Sequence, residues 1–150
     1  MAPDDSAVLK LRAEDAEDLA VISACLQDAL VSVRDLAYDA EDRTFLLVAN
    51  RFRWEDGLRT AAEEGGFRRI LCGITFRAVT AVSYTGFRRS NESRILVLLA
   101  IRRDGDEIRL EFSGGASIRL KVGRILCHAR DLGEPWPTRW QPRHDRDERV

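Results

Sequence analysis

Apolar residues recur at every second position through much of the second half of the chain, and this is the period of a β-strand. The runs with this alternation, or with apolar residues on both faces, are residues 70–76, 78–84, 95–101, 107–112 and 118–122. The first two runs form either one long bent strand or two strands joined near Arg77. Asp104-Gly105 and Gly114-Gly115 are tight-turn sequences that separate the last three runs. Short turns between consecutive strands predict antiparallel pairing.

Two segments have apolar residues at helical spacing instead. The first predicted helix runs from Ala13 to Leu30 and follows a short strand over Val8–Leu11. Its end is left open, because an alternation typical of a strand begins at Val31. The second predicted helix runs from Val122 to Leu132, where Gly133 supplies a C-terminal cap.

The segment from Thr44 to Trp54 predicts a strand that leaves the core. Its first half is apolar on both faces, and its second half carries arginines and aromatic residues in alternation. Arg51 and Arg53 therefore share one face of the strand, and Phe52 and Trp54 share the other. We expect the two aromatic side chains to close the edge of the core. The arginines then either pair with nearby acids or remain free to contact a partner.

These elements predict an α+β fold that is mainly antiparallel β. About seven strands followed by an amphipathic C-terminal helix favour a bent barrel like that of pleckstrin-homology domains, with an added N-terminal strand and helix. The alternative is an open antiparallel sheet with both helices on one face. We expect residues 1–140 to form one globular domain and residues 141–150 to be a charged tail that frays.

Composition limits the class of protein. The chain has 150 residues, of which 45% are hydrophobic and 33% charged, as in ordinary globular domains. No apolar run is long enough to span a membrane, and the N-terminus lacks the features of a secretory signal. The cysteines, Cys25, Cys72 and Cys127, are far apart, which predicts reduced thiols in a cytoplasmic protein.

Charge is distributed unevenly, although the net charge is only −1. Residues 1–66 carry fifteen acids and seven bases, and residues 67–150 carry ten acids and seventeen bases. The overall pI of about 6.2 lacks the basic excess of a typical nucleic-acid-binding protein. Interleaving of the two halves in the fold would cancel much of this asymmetry.

The sequence contains little that indicates catalysis. The two histidines, His128 and His144, are separated, and no cluster of residues has metal-ligand spacing. Neither Gly-Gly pair lies in a phosphate-binding loop motif. We therefore predict no cofactor and no metal, and a non-enzymatic role is favoured over an enzymatic one.

The candidate binding residues are Arg51, Arg53, Trp54, Arg102 and Trp136. The favoured hypothesis is a binding or adaptor module for a protein partner, in which exposed tryptophans act as interface anchors. The alternative is a single-stranded nucleic-acid binder that stacks bases on aromatic rings and pairs arginines with phosphates. A weaker alternative is an enzyme in which arginines hold a small anionic substrate. A homodimer formed through edge strands is compatible with each of them.

Four segments of the chain, residues 11–30, 50–55, 113–122 and 131–136, resemble a known protein family. It is a bacterial family, mostly alphaproteobacterial, of about this length and of unknown function. The resemblance covers nearly the whole chain and implies a single cytosolic domain. It implies no activity, substrate or catalytic residue.

Overall fold

The computed structural model describes residues 9–54 and 68–137, and for residues 134–137 it describes only the backbone. The predicted charged tail at 141–150 therefore lies outside the described residues. The elements are β1 (Lys10–Ala13), α1 (Ala16–Cys25), β2 (Leu30–Asp39), β3 (Thr44–Phe52), β4 (Arg68–Phe76), β5 (Val79–Thr85), β6 (Ile95–Asp104), β7 (Glu107–Phe112), β8 (Ser117–Val122) and β9 (Cys127–Pro137). A short 3-10 turn, Ser113–Gly115, joins β7 to β8.

The nine strands form one antiparallel sheet in the order β1-β9-β4-β3-β2-β6-β7-β8-β5. β6 links the two halves, because its first residues pair with β2 and its later residues pair with β7. The inward side chains of both halves form one apolar core. The rings of Phe45 on β3 and Tyr84 on β5 lie 6.5 Å apart, and Tyr38 donates a hydrogen bond to the Val79 carbonyl. The sheet therefore bends enough for its halves to share a core.

α1 is shorter than its apolar spacing predicts. Asp15 caps its N-terminus by accepting a hydrogen bond from the Asp18 amide, and Leu19 and Ile22 bury its inner face. Leu26 caps the other end of the helix, and Asp28 then takes a left-handed φ of +66°. The Asp28 amide donates to the Leu98 carbonyl, so the chain has already joined the sheet before β2 begins.

Most predicted strands are confirmed. The runs 70–76 and 78–84, which the sequence left as one bent strand or two, form two strands. The strands are separated by Arg77 and Ala78, and Ala78 has a φ of +59°. The turn at Asp104-Gly105 is also confirmed, with Gly105 at a φ of +65° that favours glycine. The sheet is mainly antiparallel, as the sequence predicts.

The predicted C-terminal helix is wrong. Residues 127–137 form β9, which inserts between β1 and β4 and pairs with both. The barrel is also wrong, because the strand order is linear and ends at β1 and β5. The alternative of an open antiparallel sheet is nearer to the structure, but the described residues hold one α-helix rather than two.

No helix in the described part of the chain combines the length and the apolar character that a membrane crossing requires.

Candidate interaction surface

The arginines at the end of β3 point into the protein. Alternate residues of β3 share a face, so the inward series of Phe45, Leu47 and Ala49 continues with Arg51 and then Arg53. Arg51 is 0% exposed and Arg53 is 4% exposed. Trp54 is 36% exposed, and Phe52 is half-buried. The prediction that the aromatic side chains, rather than the arginines, close the core is therefore wrong, whereas the alternative in which the arginines pair with nearby acids holds for Arg51.

Arg51 forms a buried, bidentate ion pair with Asp131 of β9. Its Nε and Nη2 atoms donate to the two carboxylate oxygens at 2.8 and 2.7 Å, and its Nη1 atom donates to the Phe52 carbonyl. The Leu9 amide also donates to the Asp131 carboxylate, at 3.0 Å. The pair spans β4 and holds β3, β9 and the start of β1 together, so it is structural.

Two buried thiols in this half of the sheet, of which Cys72 lies next to the ion pair, are poor nucleophiles. Burial raises the pKa of Cys72 to about 12, and the negative charge of Asp131 adds to the effect. Burial likewise raises the pKa of Cys127 to about 12. Because the thiolate is the reactive form, neither thiol is poised to react near neutral pH.

The opposite side of this half of the sheet faces solvent, and we call it the outward face. It consists of Lys10 and Arg12 on β1, His128, Arg130 and Leu132 on β9, Arg69, Leu71, Gly73 and Thr75 on β4, and Leu46, Val48, Asn50 and Phe52 on β3. Residues paired across neighbouring strands lie on the same face of a sheet, which is why these positions belong together. None of them is acidic.

Charge and apolar character occupy different parts of the outward face. One row runs Lys10, Arg130, Gly73, Val48 across four strands, so it begins basic and ends apolar. A parallel row begins at Arg12 and ends at Leu46, which is 41% exposed. In these two rows the basic residues thus lie on β1 and β9, and the apolar residues Val48 and Leu46 lie on β3.

Leu132 extends the apolar part onto β9. It is 42% exposed and stands opposite Leu71, which in turn pairs with Asn50. A Cβ placed on Gly73 would lie 3.5 Å from the Leu132 side chain, so this leucine lies over the glycine. The exposed leucines of β3 and β9 therefore flank β4 from both sides.

Lys10 and Arg130 stand directly opposite each other on β1 and β9. Like charges in this position repel and destabilise a strand pair. Neither side chain forms an ion pair with a residue that the structure describes. By contrast, Arg12 in the next row pairs with Glu14 at 2.7 Å.

An aromatic cluster closes one end of the outward face. The Arg69 guanidinium lies 3.7 Å from the centre of the Phe52 ring, and the Phe52 and Trp54 rings are 5.0 Å apart. Arg69 also donates to the Asn50 carbonyl and side chain. Burial lowers the pKa of Arg69 from its ordinary value, and the charge of Asp28 opposes that shift. Trp54 donates from its indole nitrogen to the Gln27 carbonyl at 3.2 Å.

The remaining predicted site residues do not gather at one place. Arg102 lies on β6, in the other half of the sheet, and is paired with Glu111. The backbone of Trp136 pairs with Arg69 in the β4–β9 ladder. Among the predicted site residues whose side chains the structure describes, only Trp54 is exposed beside the outward face. Among the described residues, no group of three or more His, Cys, Asp or Glu side chains could hold a metal ion.

Sequence reasoning missed Arg69, Leu71, Leu132 and Asp131. The first three are ordinary strand residues, and only the register of β4 against β3 and β9 brings them together. Asp131 did carry a signal: it is a lone carboxylate in the alternation of Cys127, Ala129 and Asp131, at an inward position.

The fold and this surface define the protein as an open antiparallel-sheet domain with a basic and apolar outward face. The chain belongs to a family described as proteins of unknown function, DUF2948, whose model matches residues 9–144. None of the curated proteins and none of the solved structures compared with the chain matches it. The predicted membership of a family without an assigned function is thus confirmed, and the bacterial origin stays a prediction.

Proposed function

We propose that this protein is a non-catalytic binding module that holds a protein partner on the outward face. The partner segment presents acidic side chains next to apolar ones. The observation that carries the proposal is that Lys10 and Arg130, which have no ion-pair partner among the described residues, lie on the same face as the exposed leucines Leu46 and Leu132.

Lys10 and Arg130 form the basic part of the interface. Lys10 and Arg130 repel each other, so a carboxylate placed between them removes a cost that the free protein carries. Since neither is neutralised from within the described residues, the complementary charge comes from the partner. Electrostatic complementarity of this kind fixes the orientation of a partner and speeds association.

Exposed and half-buried apolar side chains form the other part of the interface. Leu46 and Leu132 are each about two-fifths exposed, and half-buried Val48 and Leu71 lie between them. Burying such side chains against apolar groups gains about 25 cal/mol for each Å² removed from water. A segment that lies across β9, β4 and β3 would cover these residues and reach Lys10 and Arg130 at the same time.

Single-stranded nucleic acid suits this surface less well. Base stacking needs an open ring face, but Arg69 covers one face of Phe52 and Trp54 packs beside it. Arg51 and Arg53, the arginines that the sequence analysis placed in this role, are buried, and Arg51 is engaged with Asp131. We therefore favour a protein partner and treat an oligonucleotide as a competing outcome.

The test is a titration of the full-length protein with synthetic peptides, followed by amide chemical shifts. The probe alternates glutamate with leucine. Its matched controls replace glutamate by lysine in one peptide and leucine by serine in the other. A poly-dT oligonucleotide is a further ligand. We expect saturable shifts on β9, β4 and β3 with the first peptide alone.

Variants decide whether the outward face is responsible. The double substitution Leu46→Ser/Leu132→Ser should weaken peptide binding roughly tenfold or more, the loss typical of interface anchors. Val21→Ser is the matched control, because Val21 is an exposed apolar residue on α1, 53% exposed. Tighter binding of the oligonucleotide, equal binding of the lysine peptide, or no saturable binding at all would overturn the proposal.

A second copy of the chain is the other occupant to be tested. Sedimentation over a range of concentrations should show a monomer whose mass does not depend on Leu46 or Leu132. A dimer that the double substitution dissolves would assign the outward face to self-association instead.

The proposal places the module in the cytoplasm. Cys72 and Cys127 are buried as thiols, the state that a reducing compartment maintains. Fractionation of cells that express the tagged protein should recover it with cytosolic markers, and recovery outside the cytosol would contradict this assignment.

A further inference from the structure

A concave site lies at the β6–β7 turn and borders the outward face, because Glu14 of its wall pairs with Arg12. Its volume is about 490 Å³, and its walls are the β6–β7 turn, the segment after β8 and the two residues before α1. Arg103 and Arg124 lie on its walls, together with the acids Glu14, Asp15 and Asp106. The volume is in the range of sites that hold small metabolites.

The acids of this cleft already have partners. Glu14 pairs with Arg12 at 2.7 Å, and Asp106 approaches Lys121 at 3.9 Å. Asp15 accepts the Asp18 amide as the N-cap of α1. Arg12 and Lys121 therefore offset the charges of Glu14 and Asp106, whereas the Asp15 carboxylate keeps its negative charge at the N-terminus of α1.

The two arginines of the cleft have no such partners. Arg103 donates to the Gly105 carbonyl at 3.1 Å, which leaves its positive charge uncompensated. Arg124 forms no hydrogen bond or ion pair with any residue that the structure describes. The cleft therefore holds two guanidinium groups whose charge is not neutralised by a described residue.

The other arginines on this part of the surface are paired with acids, so the unpaired state of Arg103 and Arg124 is unusual here. Arg102, Arg109 and Arg119 stand opposite one another across β6, β7 and β8, and each has a carboxylate partner. The partners are Glu111, Asp104 and Glu107, respectively. Arginine on this surface is thus normally paired with an acid, and the two unpaired arginines border the same cleft.

We propose that this cleft binds a small organic oxyanion, a phosphomonoester or a carboxylate, through Arg103 and Arg124. The planar guanidinium group matches the oxygens of either anion with two parallel hydrogen bonds. Arg103 and Arg124 are not part of the outward face, so failure of this proposal would leave the proposed partner surface untouched.

The surroundings also set the size and charge of the ligand. At Gly123 a Cβ would meet nothing within 4 Å, so the backbone leaves open space for a ligand to approach. The Asp15 carboxylate, which has no cationic partner among the described residues, lies at the same cleft and repels additional negative charge. The site therefore favours one compact anionic group over a polyphosphate.

The experiment titrates the ¹⁵N-labelled full-length protein at low ionic strength with inorganic phosphate, glycerol phosphate, malate and ATP. We expect saturable shifts of the Gly105 and Gly123 amides, with ATP weaker than glycerol phosphate. The comparison of phosphate with malate identifies which oxyanion the arginines prefer. Absence of saturation with every probe, or ATP as the tightest ligand, would overturn the proposal.

Three variants separate a site from general charge attraction. Arg103→Gln/Arg124→Gln should weaken binding about tenfold or more, as expected for the loss of charge-assisted hydrogen bonds. Gly123→Leu keeps both charges and should block binding by filling the cleft. Arg119→Gln removes an exposed arginine that is already paired and should change affinity less than about twofold. An equal loss in Arg119→Gln, or full binding in Gly123→Leu, would contradict the proposed site.

Discussion

At the scale of single residues, the Arg51–Asp131 pair joins strands at a high cost in desolvation free energy. Both side chains are almost completely removed from water, 0% and 1% exposed, and removing charges from water costs several kcal/mol for each ion. The cost is offset by two short hydrogen bonds between them and by further bonds to the Phe52 carbonyl and the Leu9 amide. Each group therefore depends on the other.

This dependence can be measured with a double-mutant cycle. Arg51→Met leaves the Asp131 carboxylate buried without its cation and should lower the free energy of unfolding by about 3–5 kcal/mol. Arg51→Met/Asp131→Asn removes both charges and keeps an acceptor for the Leu9 amide, so it should cost clearly less than the sum of the single changes. Urea denaturation gives the three values. Strict additivity would show that the two charges do not support each other.

A matched surface pair supplies the control for this cycle. Arg119→Gln breaks the exposed pair with Glu107 and should change the free energy of unfolding by less than about 1 kcal/mol.

The buried thiols make stability depend on pH in the alkaline range. The pKa of Cys72 and of Cys127 is raised from 9.0 to about 12, so the native state keeps protons that the unfolded chain releases. This contribution is fully present below pH 9 and is lost as the pH rises toward 12. Each thiol should lower the free energy of unfolding by up to about 1.4 kcal/mol per pH unit in that window.

The measurement compares urea unfolding at several alkaline pH values in the natural protein and in Cys72→Ala/Cys127→Ala. The substituted protein should lose stability with a smaller slope, because its other alkaline groups remain. Equal slopes would show that the thiols do not titrate differently in the two states.

At the scale of elements, the same ion pair explains which parts of the fold the sequence could predict. Strands with apolar inward positions, such as β7 and β8, are visible as alternation. In β9 an inward position carries Asp131, which hides the alternation and leaves the helical spacing of Ile125, Ala129 and Leu132 as the stronger pattern. In β3 the inward position carries Arg51. Because Phe52 is the more hydrophobic of the two neighbours, the sequence pattern predicts, wrongly, that Phe52 faces the core. Arg51 and Asp131 are 80 residues apart in the sequence, so the local pattern around either residue does not reveal that they pair.

Replacement of glycine by alanine should have opposite effects on stability at Gly73, inside β4, and at Gly86, just after β5. Gly73→Ala, in the middle of β4, places its Cβ in ordinary contact with Leu132 and should stabilise the protein by about 0.5–1 kcal/mol. Gly86→Ala, at a φ of +83°, brings its Cβ to 2.6 Å from the Gly115 carbonyl oxygen. That change should destabilise by about 1–3 kcal/mol. Thermal or urea unfolding of both variants checks the signs, and a destabilising Gly73→Ala would contradict the register of β4 against β9.

At the scale of the whole molecule, the two sides of the sheet depart from the usual pattern of an apolar inside and a polar outside. An ion pair lies inside, whereas leucines and an unrelieved pair of basic residues lie outside. The inside arrangement is satisfied by contacts within the chain. On the outward face, Lys10 and Arg130 have no ion-pair partner among the described residues and the leucines remain exposed. For this reason we assign the proposed binding role to the outward face and not to the arginines of β3. The sequence contains every residue of that face, but their proximity follows from a strand order in which the last strand lies beside the first.

The basic and apolar parts of the outward face should act on different rate constants. Lys10→Gln/Arg130→Gln removes long-range attraction, so it should slow association of the glutamate–leucine peptide severalfold and flatten the salt dependence. Leu46→Ser/Leu132→Ser removes short-range packing, so it should mainly speed dissociation, where most differences in affinity arise. Surface plasmon resonance at several salt concentrations measures both constants. If the charge variant instead changes only the dissociation rate, with the salt dependence intact, Lys10 and Arg130 do not attract the partner, and the acidic character proposed for that partner is wrong.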